Sequence, residues 1–416
     1  MVTLEEHLRR APDGHIYTDG PGAYSVWSEL LDNFDEVVLL ARVAFSSSLS
    51  SEQNRIEGPF ISVHELPNYS GPWQYLRSLS KLRAGVRRAI ARCDVCLLRV
   101  PGLVSRLAWH EIRRSKNIYA AEVVGDPSDA LGKGTMPSLL RPLYRLVAIQ
   151  NMKKICRQAS AVLYCCKRTL PNRYPPGTDG YTAFSHRAVL TEGYASQELM
   201  KERRFRIEEK TRSNNHSVEP LQFGFVGSFA QLYKGADTLL RAASICSQNG
   251  LQFRVFFAGE GRYRSEMQSL AADLSIQERV FFLGQLNFGK PIFDFLDSLD
   301  LYLMPSRAEA FGRALLEAMA RGCPCIGSNV GGIAEQLALE DLFPPNNHEA
   351  LAQKIMEVTA NPERMKAMSE RNLARAKQLD PEVLRDTRLA FYRYVRDHSG
   401  NNAKSGSEQQ SSLQPL

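Results

Sequence analysis

Residues 301–336 read LYLMPSRAEAFGRALLEAMARGCPCIGSNVGGIAEQ, and this stretch decides the fold class. It holds two short apolar runs, Leu301–Met304 and Cys325–Ser328, and a polar or glycine-containing loop follows each of them. Helix-like segments come next, at Arg313–Arg321 and Ile333–Ala338. Strands that alternate with helices in this way are typical of parallel βαβ units. The stretch therefore predicts an α/β protein with a doubly wound parallel sheet.

The same alternation continues on both sides of this stretch. In the second half, further strands are predicted at Gln222–Val226, Gln252–Ala258 and Arg279–Leu283, and further helices at Ala236–Gln248, Tyr263–Leu274, Pro291–Leu296, Glu349–Thr359, Pro362–Gln378 and Pro381–Asp397. The first half is less regular, with strands predicted at His15–Thr18, Glu36–Val43, Ile61–His64, Val95–Val100, Ala120–Val124, Ala161–Tyr164 and Ala188–Leu190. Its helices are predicted at Ala23–Asn33, Gln74–Arg92, Leu103–Lys116 and Pro137–Gln158.

The length of the chain indicates two domains, because 416 residues are too many for one compact core of ordinary size. The polar stretch RIEEKTRSNNHSVEP, residues 206–220, is the predicted linker. We expect a first Rossmann-like domain over residues 1–205, with the helix at 381–397 packing back on it, and a second over residues 221–380. The tail at 398–416 is polar and poor in apolar residues, which predicts disorder.

Composition places the chain among ordinary soluble proteins, with 44% hydrophobic and 23% charged residues. No apolar run approaches the roughly 20 residues that a membrane span needs, and no signal-peptide pattern opens the chain. We therefore expect a cytoplasmic protein, with a peripheral position at the inner face of the membrane if its basic helices touch lipid. The eight cysteines show no zinc-site spacing and no Asp-x-Asp motif occurs, so we expect neither a metal nor a resident cofactor.

Positive charge is concentrated in the first half. Residues 1–212 hold 31 Lys and Arg against 22 Asp and Glu, while the remainder holds 21 against 23. The excess predicts an anionic partner, and because no aromatic-interleaved basic motif occurs we expect a phosphorylated molecule or a membrane surface rather than nucleic acid. The basic helices at 74–92 and 137–158 could rest on an anionic bilayer, and the second has an amphipathic pattern. A core-facing helix with a basic solvent side gives the same pattern, so both interpretations stay open.

Four strand-to-helix loops of the second half carry the chemistry. They are residues 227–235 (GSFAQLYKG), 259–261 (GEG), 306–312 (SRAEAFG) and 329–335 (NVGGIAE). Because parallel sheets bind ligands at the carboxyl ends of their strands, we expect these loops to lie together. Glycines permit close approach, helix amino termini offer free amides and Lys234 adds a full charge, a combination that suits a diphosphate. A plain tight turn with a solvated Lys234 is the alternative.

Two glutamates lie eight positions apart in the third loop and its helix. Glu309 is predicted in the loop, and Glu317 about one turn inside the helix, within the apolar segment ALLEAMA. An acid in such a segment is costly to bury without partners, and a pair of sugar hydroxyls would supply them. A helix glutamate that points to solvent is the alternative.

The residues from Gly224 to about Gln378, and more loosely the whole chain, resemble glycosyltransferase family 4, the retaining GT-B enzymes also called glycosyl transferases group 1. The resemblance is carried by the FVG…YKG loop, the AGEG turn, the segment PSRAEAFGRALLEAMARGCPC and the VGGIAE loop. It implies a GT-B architecture, in which two Rossmann-like domains face each other across a cleft. It also implies an acceptor-binding first domain and a nucleotide-sugar-binding second domain.

The resemblance assigns a role to each matching position. Lys234 would neutralise the donor diphosphate, Glu317 would hold the ribose hydroxyls and Glu309 would face the donor sugar. Gly331 and Gly332 would give amides to the phosphate–sugar region. The base would be held around Gly284, Gln285 and Leu286, and the remaining donor-site candidates are Gly227, Ser228, Gly259, Gly261, Arg307, Ala310, Phe311 and Gly312.

Two positions depart from the family pattern. Ser228 stands where many members have an arginine that serves as a second cation for the diphosphate, and Arg307 or Arg313 could compensate. Ala310 stands where a glycine commonly follows the first glutamate.

The expected reaction is the retaining, metal-independent transfer of a hexose-type sugar from a nucleotide-diphosphate-sugar, with UDP as one candidate nucleotide, to an acceptor hydroxyl. A lipid-linked or oligosaccharide acceptor of polysaccharide biosynthesis fits the basic first half. Lys234 and Glu309 are the catalytic candidates of the second domain, and Arg99 and Asp126 those at the strand ends of the first, where ordinary salt bridges are the alternative. A nucleotide-sugar epimerase or hydrolase of the same fold, or a non-catalytic nucleotide-sugar-binding protein, stays open.

Overall fold

The computed structural model describes residues 1–18, 22–47, 54–115, 117–127, 141–187, 190, 193–212, 219–287 and 289–399. Five predictions fall wholly or partly outside these residues. They are the strand at 188–190, the end of the helix at 103–116, the start of the helix at 137–158, part of the linker at 206–220 and the disorder expected for the tail from residue 400 onward.

The described strands and helices alternate along the chain. The strands are β1 (Val2–Arg10), β2 (Ile16–Thr18), β3 (Val37–Phe45), β4 (Asn54–Arg55), β5 (Ile61–Pro67), β6 (Cys96–Val100), β7 (Tyr119–Val123), β8 (Ala161–Tyr164), β9 (Tyr181–Phe184), β10 (Leu221–Val226), β11 (Phe253–Ala258), β12 (Val280–Gly284), β13 (Leu301–Met304), β14 (Cys325–Ser328) and β15 (Leu342–Phe343).

The helices are α1 (Tyr24–Ser28), α2 (Gly71–Ile90), α3 (Leu103–Ser115), α4 (Arg141–Gln158), α5 (Thr169–Arg173), α6 (Gln197–Arg212), α7 (Ala236–Gln248), α8 (Arg264–Asp273), α9 (Lys290–Ser298), α10 (Arg313–Ala320), α11 (Ile333–Gln336), α12 (His348–Thr359), α13 (Pro362–Gln378) and α14 (Arg385–Ser399). Short 3-10 helices occur at Glu29–Asp32, Leu232–Lys234, Gln277–Arg279 and Leu339–Asp341.

The chain divides into two compact units. The first comprises Met1–Pro127, Tyr144–Arg187 and the segment from Leu384, and the second Ser128–Leu143 and Ala188–Val383. The boundary near residue 188 precedes the one predicted after residue 205. Helix α6 is the reason, because it occupies the beginning of the predicted linker and packs in the second unit on α13.

Helix α6 was missed because its sequence, QELMKERRFRIEEKTR, lacks an apolar face. It is anchored instead by Arg203, a fully buried arginine whose guanidinium donates to the backbone carbonyls of Leu296, at 3.2 Å, and of Leu299. A buried cation that satisfies several carbonyl groups gives no periodic signal in a sequence.

The sheet of the first unit is built around β1. Strand β1 pairs in parallel with β3 and β6, and the order continues through β7, β8 and β9, all parallel, while β5 extends the sheet beyond β3. The short strands β2 and β4 add antiparallel pairs. Helix α14 contributes Phe391, Tyr392 and Val395 to the apolar core of this unit.

The sheet of the second unit is six-stranded and parallel, with the order β12-β11-β10-β13-β14-β15. This is the order of a classical dinucleotide-binding fold, and the direction of strand succession reverses between β10 and β13. Its core contains a group of stacked or tilted phenylalanine rings on the first three strands, Phe223, Phe225, Phe253, Phe257 and Phe282.

Candidate functional site

The loops that follow β10 and β13 meet at the point where the strand order reverses. Lys234 lies at the end of the first loop and Glu309 in the second, and the Lys234 Nζ donates to the Glu309 Oε2 at 2.5 Å. Both side chains are mostly buried. Ligands of doubly wound sheets bind at such a reversal, so the structure brings these two predicted residues together at the expected place.

Lys234 is charged in this setting. Burial opposes the protonated form, but the Glu309 carboxylate and the Tyr233 phenol outweigh it and raise the pKa of Lys234 above its ordinary value. The ammonium therefore stays positive over the physiological pH range. An anion placed here would compete with Glu309 for the Lys234 ammonium, which forms strong charge-assisted hydrogen bonds.

Arg307 braces the first loop. Its guanidinium donates to the Asp237 Oδ2 at 2.6 Å, to the Leu232 carbonyl and to the Asn346 amide oxygen. Since these bonds tie the loop after β13 to the beginning of α7, Arg307 is already engaged. The structure assigns it a bracing role rather than the second diphosphate cation that the sequence left open for it.

Arg313 is the other arginine considered for that cation, and it lies at the first position of α10. Its side chain is exposed and has no hydrogen-bond or ion-pair partner among the described residues. It lies close enough to Lys234 and Glu317 for its charge to oppose the upward shift of the pKa of each. Gly312 precedes it with φ +92°, and no side chain caps the helix. The amino terminus of α10 therefore presents uncapped amides and an exposed positive charge near Lys234.

The AGEG turn lies directly on the first loop. Gly259 has φ +147°, and a Cβ atom there would lie 2.0 Å from the Gly227 carbonyl oxygen, so only glycine permits this approach. The Gly259 amide donates to the Gly284 carbonyl at 2.7 Å, which connects the turn to the loop expected to hold the base. Gln285 is exposed and Leu286 half-buried in that loop.

Ser228 forms hydrogen bonds within the first loop and to the AGEG turn. Its hydroxyl donates to the Glu260 carbonyl at 3.2 Å and accepts the Ala230 amide at 3.1 Å. Gly261 lies against Phe229 and Ala230 in the same contact. Ser228 thus fixes the backbone, and it supplies no charge at the position where the family resemblance predicts an arginine.

The paired glycines of the fourth loop hold Glu309 in place. The Gly332 amide donates to the Glu309 carbonyl at 2.9 Å, and a Cβ atom on Gly331, which has φ +45°, would lie 1.7 Å from the same oxygen. The prediction gave both amides to the phosphate–sugar region of a ligand. In the structure the Gly332 amide is used to position the Glu309 backbone, so its contribution is indirect.

Glu317 is an acidic residue with a raised pKa. Its carboxyl group has no hydrogen-bond or ion-pair partner within the described part of the chain. Burial raises its pKa to about 7, against the opposing influence of Arg313. A carboxyl group held in this way gains most from a ligand that donates two hydrogen bonds to it, as a vicinal diol does.

Several supporting residues escaped the sequence analysis. The Gln336 side chain donates to the Phe311 carbonyl and so holds the backbone between Ala310 and Gly312. Tyr302 is buried beneath both glutamates, close enough that their charges help to raise the pKa of its phenol, which burial raises first. Tyr302 lies in an apolar strand and Gln336 in a short helix, and neither belongs to a sequence motif. Only the three-dimensional structure shows that they lie beside the site.

The corresponding strand ends of the first unit carry charges that are already paired. Glu122, at the end of β7, is buried between Arg99, with a 3.1 Å contact, and Arg187, with a 3.3 Å contact. It also accepts the Tyr392 hydroxyl of α14 at 2.6 Å. Burial opposes ionisation of Glu122, but the two guanidinium groups outweigh it and lower its pKa. Glu122 therefore joins the sheet to α14 and Arg99 pairs with it from the neighbouring strand, which favours the salt-bridge alternative for Arg99.

The charge of Asp126 is also paired within the first unit. The side chain is buried, accepts the Tyr174 hydroxyl at 2.8 Å and pairs with Arg173 at 2.7 Å. These contacts connect the end of β7 to α5 and again favour a structural role. The predictions of Arg99 and Asp126 as catalytic groups gain no support from this geometry.

Among the described residues, no group of three or more His, Cys, Asp or Glu side chains is placed to hold a metal ion. Over the same residues, no helix is both long and apolar enough to cross a membrane.

The chain is similar to known glycosyltransferases in sequence and in fold. Residues 206–375 match the family described as glycosyl transferases group 1. Protein CapJ of Staphylococcus aureus is 24% identical over 333 residues, which is 80% of each chain. A GDP-mannose-dependent alpha-(1-6)-phosphatidylinositol dimannoside mannosyltransferase of Mycobacterium tuberculosis is 30% identical over 132 residues, 32% of this chain and 34% of that protein.

A solved structure shares the fold over nearly the full length. HepE of Anabaena, in complex with UDP and glucose, superimposes with a TM-score of 0.62 at 18% identity and covers 99% of both chains. The two Rossmann-like units are those of a GT-B fold. Residues 206–375 of this chain therefore match the glycosyl transferases group 1 family, and the chain shares the GT-B fold of HepE.

Proposed function

We propose that the second unit binds a nucleotide-diphosphate-sugar and that the protein transfers its sugar, with retention of configuration, to an acceptor hydroxyl. The observation that carries the proposal is the Lys234–Glu309 pair at the reversal of strand order, with an unpaired Glu317 in the helix that follows. The diphosphate would take Lys234 from Glu309, the ribose hydroxyls would donate to Glu317, and the freed Glu309 would face the sugar.

Leaving-group stabilisation follows from the same residues. Breaking the anomeric bond leaves negative charge on the diphosphate, and preorganised cations and amides lower the barrier where that charge develops. Lys234, the uncapped amino terminus of α10 and Arg313 supply them. Arg313 thereby takes the place of the arginine that Ser228 replaces. The departing phosphate deprotonates the acceptor on the same face, so no protein nucleophile and no metal ion is required in this scheme.

The acceptor is proposed to be a lipid-linked or saccharide hydroxyl of polysaccharide or glycolipid assembly. The basic charge of the first half supports an anionic acceptor. The mannosyltransferase relative is named for a phosphatidylinositol-linked substrate, which supports the lipid-linked form.

A donor screen tests the proposal. UDP-, GDP- and ADP-sugars are added singly while thermal unfolding is followed, because a bound donor stabilises the fold according to its affinity and concentration. One nucleotide class should raise the melting temperature, and Lys234→Met should remove the increase. Proton NMR of the product then reports the anomeric configuration, and an inverted product would contradict the retaining mechanism.

Incubation with the donor alone separates the alternatives within the same fold. Turnover without an acceptor would favour an epimerase or hydrolase. Donor binding that never leads to turnover with any acceptor would favour a non-catalytic binding protein.

A further inference from the structure

Exposed apolar side chains gather at one end of the first unit. Trp73 is 77% and Leu76 57% exposed in the first turns of α2, and Leu146 is 60% and Val147 43% exposed near the beginning of α4. Helix α2 follows β5, and α4 connects β7 to its parallel neighbour β8. Because helices that follow parallel strands begin at the carboxyl end of the sheet, both apolar groups lie at that end.

The beginnings of the two helices are neighbours. Tyr69, just before α2, contacts Tyr75 with ring centroids 5.2 Å apart. Tyr144, in the first turn of α4, lies within electrostatic range of the Tyr69 hydroxyl. The exposed apolar residues of α2 and α4 therefore belong to one surface.

That surface is positively charged without compensation from its own helices. Helices α2 and α4 contain five Lys and Arg residues each and no Asp or Glu. Arg77, Lys81 and Arg145 are exposed and have no ion-pair partner in the described ranges, whereas Arg87, farther along α2, pairs with Glu111 at 2.6 Å. Arg83 and Arg88 of α2 and Lys154 and Arg157 of α4 are exposed as well and have no ion-pair partner among the described residues, so the positive charge extends along both helices from the exposed apolar side chains.

We propose that this docking surface, formed by Trp73, Leu76 and Leu146 with Arg77, Lys81 and Arg145, binds an anionic lipid bilayer. Apolar side chains would enter the boundary between headgroups and acyl chains, and the surrounding cations would contact the headgroups. A second copy of the chain is disfavoured as the occupant, because two identical positive surfaces would repel each other. Docking at the carboxyl end of the first sheet would bring lipid-borne molecules to the unit that lacks the donor loops.

The protein contains its own reporter for this interaction. Of its three tryptophans, Trp27 and Trp109 are each 1% exposed, so a change of tryptophan emission on adding vesicles reports Trp73. The full chain is mixed with vesicles of phosphatidylcholine alone or of phosphatidylcholine with phosphatidylglycerol. We expect a blue shift with the anionic vesicles that high salt reverses, and little change with the neutral ones.

Vesicle sedimentation of variants separates the two contributions. Trp73→Gln with Leu76→Gln should weaken binding to anionic vesicles at least tenfold, and Arg77→Glu with Arg145→Glu should remove the preference for anionic lipid. The matched controls are Leu339→Gln, at an 82% exposed leucine of the second unit, and Arg241→Glu, at an exposed arginine of α7. Both controls should bind as the unaltered protein does.

Three results would overturn the proposal. They are no emission shift with anionic vesicles, equal binding to neutral vesicles, and dimerisation without vesicles that the Trp73 and Leu76 substitutions abolish. Docking does not require the donor site, so Lys234→Met should still bind vesicles. Failure of the docking surface and failure of the proposed transferase activity can therefore be told apart.

Discussion

The two units have similar parallel sheets, yet the charged groups at their strand ends are used in opposite ways. In the first unit, Glu122 is enclosed by Arg99 and Arg187, so its charge is satisfied within the protein. In the second, Glu317 and Arg313 have no ion-pair partner among the described residues. Charges that are satisfied hold the fold together, whereas charges left open are available to a ligand.

The helix amino termini show the same contrast. At the start of α3, in the first unit, the Glu5 carboxylate accepts the Val104 amide at 2.6 Å and the Ser105 amide at 3.4 Å. The protein's own carboxylate therefore occupies the position where an anion would bind. At the start of α10, in the second unit, Gly312 has no side chain to cap the helix. The difference is consistent with the proposed diphosphate site in the second unit.

Removing the charge of Glu122, which is paired within the first unit, should have the largest effect on stability. Glu122→Gln leaves Arg99 and Arg187 without their counter-ion, and loss of one partner of a buried pair costs about 3–5 kcal/mol. All three tryptophans belong to the first unit, so their emission during urea unfolding measures the stability of that unit.

Glu370→Gln is the control for that experiment. Glu370 forms an exposed pair with Arg204, and such pairs contribute about 0–1 kcal/mol. Equal small effects of the two substitutions would show that the cluster around Glu122 is not structurally important.

Removing the Lys234 cation should have the largest effect on activity. Lys234→Met takes away the ammonium that we propose stabilises the leaving diphosphate, and loss of one such group typically lowers kcat by roughly a hundredfold to a thousandfold. The measurement is the initial rate of product formation with the donor found by the screen. Lys290→Met, at the exposed Lys290–Asp294 pair, should leave the rate unchanged. A Lys234→Met enzyme of full activity, folded by circular dichroism, would contradict the assignment.

Arg313 should contribute less than Lys234, because its side chain is exposed. Arg313→Leu is expected to weaken nucleoside diphosphate binding about tenfold, the effect of losing one charge-assisted hydrogen bond of roughly 1.4 kcal/mol. Calorimetric titration measures the Kd, and Arg241→Leu, at the exposed arginine of α7, is the matched control. The contrary result is that Arg307→Leu weakens nucleoside diphosphate binding in a stably folded protein while Arg313→Leu leaves that binding unchanged. That result would make Arg307 the diphosphate cation and would contradict the role assigned to Arg313.

The smallest expected effect is the pH dependence of binding. Burial raises the pKa of Glu317 to about 7, and hydroxyl donors favour the ionised carboxylate, so binding should release a proton. Affinity should therefore fall as the pH decreases below about 7, by at most tenfold per pH unit. Glu317→Gln should bind more weakly and with a flat profile over this range. A pH dependence that survives in Glu317→Gln would assign the proton to another group.

Much of the second unit could be predicted from its sequence. Strands β13 and β14 and helices α7 and α13 have the predicted bounds, because buried parallel strands are short apolar runs and their helices have apolar faces. Strand β1 was missed although it is central to the first sheet. Its sequence, VTLEEHLRR, resembles a polar segment, and the charge of Glu5 is satisfied by residues distant in sequence, Arg42 and the start of α3.

The sequence predicted which loops form the site, but it predicted fewer of the contacts between those loops. Lys234 and Glu309 follow from position within the loops, but their direct pairing depends on the strand order, which the sequence does not state. The bracing role of Arg307 and the use of the Gly332 amide by Glu309 depend on contacts between loops far apart in sequence. Such contacts leave no local pattern.

Calorimetric titration of UDP, GDP and ADP tests the central contrast most directly. Asp126→Asn alters a charge of the first unit that is paired with Arg173. This variant and the unaltered protein should bind one of the three nucleotides with similar affinity. Lys234→Met should bind it roughly a hundredfold more weakly. Equal binding by Lys234→Met, or loss of binding in a folded Asp126→Asn protein, would contradict the account.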